Sequence, residues 1–203
     1  MAGGLTVVLT LASACATPGP VTASDAASLN ALWQAERIYF VPRSPGLNSW
    51  EGKIYDYATQ KCSELRANTA APQAVTVQAI DCPSRLRDRA LFPYEKIADF
   101  GRFKKRFVQC LETSDEPCLR GLISRTAQLS FGFDPPEDRR DRIFRDWKRA
   151  DFRRMAKQLR QGTSGAGEER IFPATSGDGG LGLRGAFRLI DSGWRLVSYV
   201  AGD

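Results

Sequence analysis

At 203 residues the chain has the size of one domain, or of one domain with a smaller appendage. A composition that is 42% hydrophobic and 26% charged, with eleven Phe and four Trp, suits a packed core and excludes a chain disordered throughout. There is no histidine, which rules out a Ser-His-Asp triad, a Cys-His pair, a His-ligated metal and a His general base. No apolar run reaches the roughly eighteen residues that a membrane-spanning helix needs.

The first charged residue is Asp25. Before it, Leu5 to Leu11 is a short apolar stretch, followed by Ala12-Ser13-Ala14-Cys15 and a passage rich in Pro, Gly, Ser and Thr. An apolar run ending in small residues has the shape of a secretory leader, because signal peptidases accept only short side chains beside the scissile bond. Residues 1–14 are therefore expected to be a signal peptide. Ala12-Ser13-Ala14 also fits ordinary A-x-A cleavage, but small residues directly before Cys15 resemble a bacterial lipobox, so lipidation at Cys15 is expected. Two departures stand out: Ala12 occupies the place of the usual Leu, and Met1-Ala2-Gly3-Gly4 carries no Lys or Arg. Residues 15–25 would form a flexible tether that lifts an anchored protein off the bilayer.

With lipid on Cys15, the remaining cysteines are Cys62, Cys82, Cys110 and Cys118, an even number suited to an oxidising compartment. Pairs Cys62–Cys82 and Cys110–Cys118 are expected, since each closes a local loop. A zinc site is the competing reading. It fails because no CxxC occurs and no His could complement the thiolates, so no metal is expected.

Residues 26–92 read as a disulfide-stapled N-terminal segment. Leu29, Leu32 and Trp33 suggest a short helix, Ile38 to Val41 a strand ended by Pro42, and Ala74 to Ile80 an alternating strand. Residues 93–203 read as an α+β domain. Ile97, Phe100, Phe103, Phe107 and Leu111 recur at helical spacing; Ser114 to Pro117 stops that helix and starts a second one, continued by Leu119, Leu122 and Ile123. Asp134-Pro135-Pro136-Glu137 reads as a capping box ahead of a third helix running to about Gln161, with Phe144, Trp147, Phe152, Met155 and Leu159 as its inner stripe. Residues 162–182 are rich in Gly and Ser and read as a loop containing a short strand at Arg170 to Pro173. A hairpin follows, Leu183 to Ile190 and Trp194 to Val200, turning at Asp191-Ser192-Gly193. The fold class expected is α+β: about three helices packed on a small antiparallel sheet with a C-terminal β-hairpin.

Four constellations bear on chemistry. Between Glu137 and Arg160 stand ten Lys or Arg against five Asp or Glu. Arg139, Arg142, Arg149, Arg153, Lys157 and Arg160 would fall opposite the aromatic stripe, where they could follow phosphates or anionic headgroups. A solvated face explains them as well, since Asp141, Asp146 and Asp151 interleave. Gly180 to Gly185 matches GxGxxG by letter, but a dinucleotide site needs a helix after it and here a strand is expected. Glu137, Asp138 and Asp141 cluster as a glycosidase pair would require, yet their place at a helix start accounts for them. Phe131, Phe133, Phe144, Trp147 and Trp194 could line a pocket, but aromatics at such spacing are generally core.

Ser130-Phe131-Gly132-Phe133, followed by Phe144 and Trp147, resembles an SFGG…F…W signature, and Gly193-Trp194-Arg195-Leu196-Val197-Ser198-Tyr199-Val200-Ala201-Gly202-Asp203 resembles a GxWKLVSFVAGD ending. Together they are similar to a group of uncharacterised bacterial secreted proteins, some of which carry an SH3-like domain between the two signatures. Here Phe133 replaces a Gly, and only the stretch from Gly162 to Leu181 stands where that barrel would be. The resemblance implies an envelope setting and a C-terminal hairpin packed on the helices. It implies no catalytic residues.

The functional expectation is a non-enzymatic cell-envelope protein: a periplasm-facing lipoprotein, membrane-bound through its lipid, that binds an envelope protein or cell-wall component without a cofactor. The alternative is a polyanion-binding module using the basic helix at 139–160, with nucleic acid disfavoured as the polyanion because a secreted protein seldom meets one.

Overall fold

The computed structural model describes residues 25–45, 49–68, 71–129, 136–174 and 182–201. The leader, Cys15, the tether up to residue 24, Ser130 to Phe133, Asp134-Pro135 and Gly202-Asp203 lie outside these residues.

Helix α1 (Ala26–Gln34) begins where the Asp25 carboxylate accepts the Ser28 N–H at 2.7 Å, and it buries Leu29 and Trp33 as their spacing predicts. Strands β1 (Ile38–Pro42), β2 (Gly52–Asp56), β3 (Lys61–Asn68) and β4 (Ala71–Ile80) form an antiparallel sheet in chain order. Strand β1 is a continuous apolar run because both of its faces are covered. Ile38, Phe40, Ile54 and Leu65 pack with Leu29 and Trp33 of α1 on one side. Tyr39, Tyr55 and Cys62 meet Leu86 and Ala90 of α2 (Ser84–Ala90) on the other. Strands β2 and β3 and helix α2 were not expected from sequence. The β2–β3 turn is held by Asp56, which accepts from the Ala58 N–H and the Thr59 hydroxyl, each at 2.8 Å.

Helix α3 (Phe100–Thr113) is capped by Asp99 and ends at Ser114 in a left-handed conformation; α4 (Glu116–Leu122) follows, capped by Asp115. Here the sequence reading holds, except that Ile123 opens a strand. That strand, β5 (Ile123–Gln128), begins with no intervening loop and points Ile123 and Ala127 into the core. Its partner is β8 (Gly193–Ala201), to which it runs parallel; β8 pairs antiparallel with β7 (Leu183–Ile190), and β7 with β6 (Glu169–Phe172). The sheet order β5-β8-β7-β6 is therefore mixed, not purely antiparallel.

The expected third helix is two helices, α5 (Arg139–Asp146) and α6 (Arg149–Arg160). Trp147 is extended between them, and the Asp151 carboxylate accepts the Lys148 N–H at 2.9 Å, capping a fresh start. The break lets the Trp147 ring face Phe152 at 5.5 Å and Tyr199 at 5.4 Å. Helices α3 and α6 bury Phe103, Phe107, Phe152, Met155 and Leu159 against Phe187, Trp194 and Leu196 of the hairpin. Trp194 donates its indole N–H to the Ala98 carbonyl at 2.9 Å, and Tyr199 its hydroxyl to Gln158 at 2.7 Å. The class is α+β, with six helices and eight strands among the described residues and two four-stranded sheets. None of those helices is long and apolar enough to cross a membrane.

Both local disulfides are present: Cys62–Cys82 joins β3 to the residues just beyond β4, and Cys110–Cys118 locks the α3–α4 hairpin. The sequence separations are 20 and 8, so loop entropy ranks them. Replacing Cys62 and Cys82 by Ala should cost about 3 kcal/mol, and replacing the shorter pair about 2.5 kcal/mol. Urea unfolding of the two double variants checks the order.

Candidate functional site

A dense polar cluster lies where the two sheets meet. Glu36 follows α1 at φ 50°, a left-handed conformation that costs a non-glycine residue about 1 kcal/mol or more. Its carboxylate is held from three sides: it accepts the Tyr94 hydroxyl at 3.0 and 3.1 Å and the Ser124 hydroxyl at 2.8 Å, and it lies 3.7 Å from Nη1 of Arg125. Arg125 is buried in β5 and donates through Nη2 to the Ala90 and Phe92 carbonyls at 2.7 and 3.1 Å. Its backbone N–H donates to the Tyr94 hydroxyl at 2.9 Å.

The Tyr94 ring is flanked by three guanidiniums, those of Arg195 at 3.7 Å, Arg125 at 4.8 Å and Arg140 at 5.6 Å. Cation–π attraction strengthens as such groups lose water. Burial, chiefly, pushes the Tyr94 phenol up to about 12 and raises Tyr39 and Tyr57 as well, so Tyr94 and Tyr57 stay neutral donors, to Glu36 and to the Ala90 carbonyl.

Behind this cluster Asp138 and Arg140 form an ion pair with each side chain 1% exposed. Arg140 Nε and Nη2 reach the two carboxylate oxygens at 2.9 and 2.6 Å, and Nη1 donates to the Arg120 carbonyl at 2.9 Å. Burial opposes the guanidinium charge, but the Asp138 carboxylate outweighs it and holds Arg140 above its ordinary value. Glu137, also buried, accepts both Nη atoms of Arg145 at 3.0 and 3.1 Å. The acids that the sequence placed at a helix start are thus there, yet they serve as buried anchors for arginines as well as caps.

Beside the cluster, the face of the second sheet turned away from α3 and α6 opens into a cleft of about 530 Å³, walled by the end of α1. Ser124 and Thr126 of β5, Arg195 and Ser198 of β8 and Arg188 of β7 line it.

The proposed basic stripe does not survive as one face. Arg139 is buried and donates to the Glu137 carbonyl at 3.1 Å; Arg142 lies 3.7 Å from Asp146; Arg160 pairs with Glu112 on α3. Arg149, Arg153 and Lys157 remain exposed on α6. The break at Trp147 separates the two halves, and Arg139, in the first turn of α5, is buried. Of the aromatic candidates, Phe144, Trp147 and Trp194 pack in or against the core, while Phe131 and Phe133 lie outside the described residues. The GxGxxG letters end in β7, a strand where a dinucleotide site would need a helix.

Sequence reasoning missed Glu36, Tyr94, Arg125, Arg140 and Arg195. One signal was available for Arg195: a lone charge between Trp194 and Leu196 in an apolar strand. No family model matches the chain, and no curated protein matches it significantly.

Proposed function

We propose that this is a non-enzymatic binding protein of the bacterial cell envelope, lipid-anchored at Cys15 and facing the periplasm, with an envelope protein or cell-wall component as its partner. The observation that carries the reading is the cysteine arrangement. Four of the five cysteines pair locally as Cys62–Cys82 and Cys110–Cys118, the use of cysteine expected in an oxidising compartment, leaving Cys15 behind a short apolar stretch. A binding role is supported by the way the buried carboxylates Glu137 and Asp138 are each engaged by an arginine, with no histidine in the chain to act as a base.

The test is the non-reduced intact mass of the protein from its host's envelope fraction. A mass beginning at Cys15, with lipid added and four hydrogens missing, is the expected result. A full-length chain with free thiols would overturn the reading, as would robust hydrolytic turnover in a broad substrate screen. The polyanion alternative now rests mainly on Arg149, Arg153 and Lys157, with Arg160 exposed beside them but paired with Glu112. Changing all three to Glu should leave retention on anionic vesicles unaltered, and a salt-sensitive loss would move the function to α6.

A further inference from the structure

Arg195 is a buried cation that the fold leaves without a hydrogen bond among the described residues and that lines a cleft. It sits in the central strand β8, 6% exposed, and lines the cleft over the outer sheet face. Its Nε has no partner, and among the described residues no hydrogen bond reaches any part of its guanidinium. Its one charge partner is Asp191 at 3.8 Å, a turn residue 83% exposed and too distant to hydrogen-bond. The Tyr94 ring covers one face of the guanidinium but satisfies none of its donors. A cation this far buried, with Nε unanswered and its remaining donors open only to the cleft, is costly unless something in that space accepts from it. Arg125, its neighbour on Tyr94, also has an Nε without a partner, but two carbonyls and Glu36 answer its Nη groups.

The backbone around Arg195 is also shaped toward the cleft. The β7–β8 register shifts between Ala186 and Phe187, so that Val197 and Ser198 both line it. Bulges of this kind re-aim side chains at sites. Glu36, strained at the end of α1, fixes the opposite wall.

Charge selects the ligand class. The cleft is lined by the cations Arg188 and Arg195 and the anions Glu36, Glu169 and Asp191, and Glu36 is already answered by Arg125, so the remaining charges balance. A balanced cleft gives a divalent phosphate no net attraction. A carboxylate that also carries an ammonium matches it: its carboxylate can take the guanidinium fork while its ammonium faces Glu169 or Asp191. The hydroxyls of Thr126 and Ser198 suit a peptide group between the two ends.

We propose that the cleft binds a small zwitterion, the class of free amino acids and short peptides, with its carboxylate seated on Arg195. This rests on the binding reading above and narrows its partner. The protein purified from its host is titrated with alanyl-alanine, with its N-acetyl derivative, with its C-terminal amide and with inorganic phosphate, using calorimetry and amide NMR shifts. The free dipeptide should bind best, the N-acetyl form more weakly, and the amide and phosphate hardly at all. Shifts should map to Thr126 and Ser198. Arg195→Gln should weaken dipeptide binding roughly 10- to 100-fold, the range for a lost charge-assisted hydrogen-bond pair. Arg195→Lys, which keeps charge but not the fork, should fall between, and guards against loss of folding in the Gln variant. No saturable dipeptide binding, shifts outside the cleft, phosphate binding better than dipeptide, or unchanged affinity in both Arg195 variants would each overturn the proposal. The intact-mass result would stand untouched by any of them.

Discussion

Asp138→Ala should cost about 3–5 kcal/mol of stability, because it strands the Arg140 charge in the interior. The pair is 1% exposed on each side, and the carboxylate takes Nε and Nη2 of the guanidinium while also accepting the Arg140 N–H at 3.0 Å. Removing it takes away the helix cap of α5 as well as the counter-charge. The Arg120 carbonyl at Nη1 cannot replace a carboxylate, and Phe92 and Tyr94 offer only ring faces at 6.0 and 5.6 Å. The pair as a whole is a different matter, since replacing both members by apolar groups of similar volume is often neutral. Asp138→Leu with Arg140→Met should therefore regain most of the loss. Urea midpoints of the single and double variants decide it. Equal destabilisation in both would mean that the cap, not the buried charge, carries the effect.

Phe187→Ala should be comparably severe, about 3–5 kcal/mol, through the cavity it leaves. Phe187 is fully buried, and its ring meets Phe100, Phe103, Phe107 and Phe172 at 5.9, 5.1, 5.4 and 4.9 Å. It is the ring through which β7, β6 and α3 touch one another, so its space cannot be refilled by moving a single neighbour. Phe172 is stacked on it and lies against Gly185, where any added carbon would sit 2.1 Å from the ring. Phe187→Leu should lose much less, and thermal unfolding of the two variants separates lost volume from lost aromatic contact.

What could be read in the sequence followed from periodicity. The Phe100–Phe103–Phe107–Leu111 stripe, the α3–α4 stop at Ser114 to Pro117 and the terminal hairpin are local patterns, and each is present. Both cysteine pairs followed from loop length alone. Strand β3 was hidden because only Cys62 and Leu65 of residues 61–67 are deeply buried, leaving a pattern close to that of a loop. Strand β5 was hidden because Ile123 extends the apolar sequence of α4, and only its distant partner β8 makes it a strand. The break at Trp147 lay inside a stripe that reads equally well as one continuous helix. The arginine cluster was out of reach for another reason: Glu36, Tyr94, Arg125, Arg140 and Arg195 are scattered from α1 to β8, and an isolated charge ordinarily means a solvated position.

The parallel pairing of β5 with β8 also governs the order in which this molecule can become itself. Strand β5 is made some seventy residues ahead of β8, its one neighbour in the sheet among the described residues, separated from it by α5, α6, β6 and β7. During that interval Ile123 and Ala127 have no sheet to enter, and the nascent chain carries an open, sticky edge. A chain cut short before Gly193 would lack the middle of its second sheet, not its margin, leaving β5 and β7 nothing to join them. Such a fragment should be a substrate for proteolysis, although its first sheet is complete by Ile80.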